Sequence, residues 1–163
     1  MAEIIVIAHN IRSTHNIGAI FRTAEGFGVH HILITGYSPY PRTSNDTRLP
    51  HIADKLTAQI HKTALGAETM VSFSYQEQPN LNELRNDGYR IIGLEQDARS
   101  VALNQYRVPE KVALLIGEEV EGIELSLRNQ CDDLIEIPMS GKKESFNVSV
   151  ATGIALYALS SSL

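Results

Sequence analysis

Short runs of apolar, largely β-branched residues recur along this 163-residue chain, and segments with helical periodicity separate them. Ile4–Ala8, His31–Thr35, Met70–Tyr75, Tyr89–Leu94, Val112–Ile116 and Leu134–Ile137 are each the length of one strand. Several are apolar at consecutive positions, as strands buried on both faces of a parallel sheet must be. Between them, Ile17, Ile20, Phe21 and Ala24 form one face of a helix, with Asn16 as its expected cap and Gly26 and Gly28 as its stop. Further helices are expected over 51–64, Leu81–Asn86, Leu125–Gln130 and Val148–Leu159, and Gly36–Asn45 reads as a turn-rich loop. Strands alternating with helices predict an α/β fold, a mainly parallel sheet flanked by helices, in a single domain over 1–163. Such sheets bind ligands beyond the carboxyl ends of their strands. Three of those ends carry polar or glycine-containing exits: Gly93–Asp97, Ile116–Gly122 and Ile137–Asn147.

Composition removes several function classes. No apolar run approaches the roughly 18 residues of a membrane span, and the first residues lack the basic start of a secretion signal. The single cysteine, Cys131, excludes an internal disulfide framework and fits a reducing cytoplasm. Its neighbours Asp132 and Asp133 would raise a thiol pKa, against a nucleophilic role. The six histidines show no metal-ligand spacing, so no metal site is expected and most are read as surface or loop residues. The net charge of −5 is unevenly spread. Residues 1–65 hold six Lys/Arg against four acids, together with every histidine. A polyanion would therefore meet the N-terminal half.

Three constellations could carry chemistry. Asn10–Arg22 leaves the first strand with Asn10, Arg12, Ser13, His15 and Asn16, then enters a helix that carries Arg22 six residues after Asn16. Arg22 could grip a phosphate with its planar fork, or be a surface arginine. Gly117-Glu-Glu-Val-Glu-Gly122 lacks the Gly-Lys-Ser/Thr of a phosphate loop. Its three carboxylates suit a cationic or hydroxyl-bearing ligand, or solvent, and Gly117 would let a ligand approach the backbone. Ile137–Ala151 runs from a strand through Gly141 into the last helix, and Asn147 could cap that helix or present a donor and an acceptor to a ligand.

Taken in order, Asn10–Ala24, Ile116–Gly122 and Ile137–Ala151 resemble the three motifs of the SpoU family, RNA 2′-O-ribose methyltransferases of the SPOUT superfamily. Lys62–Glu68 is similar to a further family segment, and the likeness spans nearly the whole chain. The resemblance implies a C-terminal deep trefoil knot and a homodimer formed through the knot region and the last helix. It implies S-adenosylmethionine as cofactor, lined by Gly117, Ile137 and Phe146, with Leu94, Glu95 and Met139 nearby. Phe146 stands where relatives usually have leucine, which keeps an apolar wall.

The same resemblance assigns catalysis to Arg22, acting with an RNA phosphate on the 2′-hydroxyl, with Asn16, Glu119, Ser145 and Asn147 shaping the site. Lys142, Lys143 and Glu144 match no motif position. With no appended RNA-binding domain expected, recognition would fall to Arg12, Arg42, Arg48 and the His-rich half, with tRNA favoured over rRNA. A knotted RNA-binding or assembly protein without catalysis is the alternative. A Rossmann-like nucleotide enzyme is disfavoured by the missing Gly-x-Gly-x-x-Gly after the first strand.

Overall fold

The computed structural model describes residues 1–161. In chain order the elements are β1 (Glu3–His9), α1 (Thr14–Gly26), β2 (His31–Thr35), α2 (Pro50–Ala64), β3 (Phe73–Gln76), α3 (Leu81–Asn86) and β4 (Arg90–Leu94). There follow β5 (Val101–Ala102), β6 (Lys111–Ile116), α4 (Leu125–Arg128), β7 (Asp133–Glu136) and α5 (Val148–Ser161). The seven strands form one sheet in the order β3-β2-β1-β6-β4-β7-β5, and every pairing is parallel.

Pleating sorts β1 between two layers. Ile4, Val6 and Ala8 pack with Ile17, Ile20 and Phe21 of α1 and Leu156 and Leu159 of α5. Ile5 and Ile7 pack on the opposite face with Leu81, Ile123 and Leu127. Each fully buried isoleucine contributes about 1.5–3 kcal/mol over its exposed state, so β1 is a principal anchor of the fold. No helix among the described residues is long and apolar enough to cross a membrane.

The structure departs from the sequence reading at element ends. Ser13, not Asn16, caps α1: its Oγ accepts the Asn16 N–H at 3.1 Å and its carbonyl accepts the Ile17 N–H at 3.0 Å. The helix thus starts at Thr14, and the Asn16 side chain is released for the site. The strand expected from Met70 begins at Phe73, because Ala67–Thr69 closes a 3-10 turn and leaves Met70 exposed. The sequence reading missed β5, a two-residue edge strand too short to carry a period. Ile137 lies just past β7 rather than within it.

Candidate active site

The sheet order brings the three polar exits together. β6 lies between β1 and β4, and β7 lies on the far side of β4. The carboxyl ends of β4, β6 and β7 therefore open side by side, with the exit of β1 next to Gly117. A cavity of about 300 Å³ sits beyond them. Leu94, Ile116, Ile137, Phe146, Val148 and Ala151 give it an apolar wall. Its rim carries Glu95, Glu118, Glu119, Glu121, Glu136 and Glu144, with no cationic side chain in the lining.

A chain of side-chain amides joins the three motifs at the edge of this cavity. Asn147 Nδ2 donates to Asn16 Oδ1 at 3.3 Å, and Asn16 Nδ2 donates to Glu119 Oε1 at 3.2 Å. The direction is forced, since a carboxylate can only accept and so must face the amide nitrogen of Asn16. Glu119 also sits on the N-terminus of α1: it accepts the Ser13 N–H on Oε1 and the Arg12 N–H on Oε2, both at 3.4 Å. The positive end of the helix dipole favours an anion there. Asn147 holds two positions at once. Its Oδ1 accepts the Ser149 N–H at 2.9 Å and the Ser149 hydroxyl at 2.6 Å, capping α5, while its Nδ2 reaches Asn16.

The acidic loop is folded back on itself. A Cβ on Gly117 would stand 2.6 Å from the Gly122 carbonyl carbon and from the Ile123 nitrogen. The close approach that requires glycine at 117 is thus made by the chain's own backbone, not by a ligand. Gly122, at φ +72°, would place a Cβ 2.1 Å from Glu95 Oε2. That oxygen accepts the Ile123 N–H at 2.7 Å, and Oε1 accepts the Gln96 N–H at 3.2 Å. Glu95 therefore fastens the end of β4 to the acidic loop as well as bordering the cavity.

Of the cofactor positions expected from sequence, Leu94, Glu95, Gly117, Ile137 and Phe146 line the cavity, and Met139 lies outside its lining. Of the catalytic positions, Ser145 and Glu119 line it, and Asn16 and Asn147 adjoin it through the amide chain. Arg22 is exposed on α1, about 9 Å further along the helix axis than Asn16, and its guanidinium is unpaired among the described residues.

The three arginines expected to meet RNA differ. Arg12 is exposed, with its guanidinium carbon 5.7 Å from the Tyr37 ring centre. Arg42 is exposed and paired with Asp54 at 3.0 Å. Arg48 is committed to its own loop: it pairs with Asp46, donates to the Tyr40 and Pro41 carbonyls, and stacks on the Tyr40 ring at 3.6 Å. That clamp leaves it little freedom to grip a phosphate.

Sequence reasoning read Glu118, Glu119 and Glu121 as suited to a cationic or hydroxyl-bearing ligand, left Glu136 within a strand, and gave Glu144 no role. Glu136 adjoins Ile137 and Glu144 adjoins Ser145, and that adjacency was the available signal. It read most of the histidines as surface or loop residues and singled out no exception. His9 is buried at the end of β1, where Nδ1 meets Thr35 Oγ1 at 2.7 Å and Nε2 meets Glu124 Oε1 at 3.1 Å. It ties β2 to the segment leading into α4. The Cys131 thiol is pushed up to about 11, chiefly by burial and secondarily by Asp132.

Comparison with known proteins follows the same outline. Residues 3–157 match the SpoU rRNA Methylase family. The chain is 34% identical to a 23S rRNA (guanosine-2′-O-)-methyltransferase RlmB of Nitrosomonas europaea, over 94% of this chain and 54% of that protein. It is 31% identical to the tRNA (guanosine(18)-2′-O)-methyltransferase TARBP1 of Mus musculus, over 96% of this chain and 9% of that one. It spans about half or less of the length of these relatives. The fold matches the A. aeolicus TrmH/SpoU tRNA modifying enzyme with a TM-score of 0.79 and 26% identity, covering 98% of this chain and 75% of that one. An AdoMet-bound rRNA methyltransferase from Sinorhizobium meliloti matches in fold at 0.79 and 23% identity, covering 96% and 55%.

Proposed function

The chain belongs to the SpoU rRNA Methylase family, and on that premise we propose that it methylates a ribose 2′-hydroxyl in RNA with S-adenosylmethionine as donor. The observation that carries the proposal is the amide chain Asn147–Asn16–Glu119, which joins all three motifs at the rim of the cavity.

The cavity suits the cofactor in shape and charge. Its apolar wall can take an adenosine, and its carboxylate rim is suited to a ligand bearing an ammonium and a sulfonium. Leu94, Ile137 and Phe146 would hold the apolar part, and backbone around Gly117 the polar edges; Met139 stands apart from this group. When bound, S-adenosylmethionine supplies the electrophilic methyl group. The protein's own part is positioning. Asn16 and Glu119 offer an oriented acceptor-rich edge to a ribose hydroxyl, and Ser145 offers a hydroxyl on the cofactor side. A guanidinium carries five N–H donors in a planar fork and no acceptor, so Arg22 acts as a phosphate-gripping donor, not as a free base. Alignment of this kind supplies a large part of a transfer rate.

The relatives carry both tRNA and rRNA names, and the expectation of tRNA rests on chain length alone, so the proposal is RNA ribose methylation without a choice between them. Two further parts belong to it. One is a homodimer through α5, supported by exposed Val150, Ile154 and Tyr157, which with Phe27 of α1's end leave an apolar groove. The other is the C-terminal trefoil knot, with which a sheet placing β6 and β7 on either side of β4 is compatible.

Calorimetry with S-adenosylmethionine and methyl transfer to RNA from a strain lacking this protein test the reading together. We expect binding, and transfer that Arg22→Ala abolishes while leaving cofactor affinity unchanged. No binding at millimolar cofactor sinks the proposal. Binding without transfer to any RNA fraction favours the non-catalytic alternative.

A further inference from the structure

We propose that Tyr37 is a stacking platform for an unpaired nucleobase of the RNA substrate, flanking the nucleotide whose ribose is methylated. The inference rests on the RNA-methylating reading above and adds a recognition residue to it. Tyr37 is 52% exposed, although the loop that carries it is pinned on both sides. Asn10, itself at φ +56°, accepts the Tyr37 N–H on Oδ1 at 3.1 Å. The Gly36 carbonyl accepts the Tyr75 hydroxyl at 2.6 Å. Ser38 is buried, donating to the Ala8 carbonyl at 3.1 Å and accepting the Ile11 N–H at 2.8 Å. A large aromatic ring on so fixed a backbone would ordinarily pack inward; here the backbone is spent on holding the ring in solvent.

The position of the ring says what it would meet. Arg12 bridges Tyr37 to the active site: its backbone N–H reaches Glu119 Oε2 at 3.4 Å, and its guanidinium carbon stands 5.7 Å from the Tyr37 ring centre. An exposed aromatic beside an exposed arginine, one residue's reach from the reacting edge, is the pairing that binds single-stranded nucleotides. The ring stacks on a base and the guanidinium takes the adjoining phosphate. The half of the chain that supplies both is also the half with a cationic excess. A protein partner would be expected to bury an apolar surround, and the residues beside Tyr37 are Arg12, Asn10 and Gly36 instead.

The test uses the whole protein and bulk RNA from a strain lacking it. Tyr37→Ala should raise KM for RNA about 5- to 150-fold, the range that loss of one stacked base gives. The kcat, the cofactor affinity and the salt slope of RNA binding should stay near wild type, and Tyr37→Phe should restore KM because the ring is kept. Arg12→Ala should instead lower the salt slope by about one phosphate. The chain contains no tryptophan, so Tyr37→Trp places a lone reporter on the platform, and its fluorescence should be quenched saturably by RNA. A wild-type KM in Tyr37→Ala overturns the inference, as does a loss that Tyr37→Phe fails to restore. Failure of the unaltered protein to bind S-adenosylmethionine would instead count against the proposed function, and the tryptophan quench by RNA still decides the platform.

Discussion

Asn147 performs two separable tasks, and substitution can pull them apart. Its Oδ1 caps α5 through the Ser149 N–H, and its Nδ2 holds Asn16. Asn147→Ala removes both. Loss of an N-cap costs about 1 kcal/mol, and a 3.3 Å bond between partly exposed amides adds about 0.5 kcal/mol. The total of about 1.5 kcal/mol lowers the melting temperature of a chain this size by about 3–6 °C. Asn147→Ser keeps a capping oxygen and loses only the reach to Asn16, so melting should fall by about 1–2 °C. Methyl transfer should fall by about 10- to 100-fold in both variants, because Asn16 is then steered by Glu119 alone and small misplacements at a reacting centre are costly. Differential scanning fluorimetry and methyl transfer to bulk RNA read the two quantities independently. The double variant Asn16→Ala/Asn147→Ser should be no slower than Asn16→Ala, since the two act as one unit. Wild-type transfer by Asn147→Ser would refute the functional link, and wild-type melting of Asn147→Ala would refute the cap.

Gly122→Ala should weaken S-adenosylmethionine binding by about tenfold or more in calorimetry, because a positive φ costs a Cβ residue about 1–2 kcal/mol and the new methyl displaces Glu95 from Ile123; unchanged affinity would contradict it. The side-chain hydrogen bonds from Arg48 hold the Asp46 carboxyl well below the usual carboxylate range. The clamp therefore stabilises fully above the unfolded carboxylate pKa of about 3.9 and loses its contribution as pH falls toward the lower folded value. Asp46→Asn should flatten that part of an acid-melting curve, and an unaltered curve would show that the clamp is not what titrates. Cys131, raised to about 11 by burial, should alkylate at pH 8 far more slowly in the native protein than in urea, as a timed iodoacetamide assay would report.

The sequence by itself determined a great deal here, because strands and helices are written in local periodicity. The β1 run, the apolar face of α1 and the strand–loop–helix at Ile137–Ala151 are legible without a partner. So are the residues at the motif positions. The tertiary structure decided which of them meet. Asn16 lies 103 residues from Glu119 and 131 from Asn147 in the chain, and only the placement of β6 between β1 and β4 brings them within hydrogen-bond distance. Strand order is set by non-local pairing, which no local window records. The same physics explains the departures. Ser13 wins the cap from Asn16 because the helix start is fixed by the exit of β1. Arg48 reads as a free cation until Asp46 and Tyr40 are folded around it. Gly117 reads as room for a ligand until Gly122 and Ile123 are found filling that room. A residue type states what chemistry is possible; the neighbours that consume or release it are supplied by chain folding.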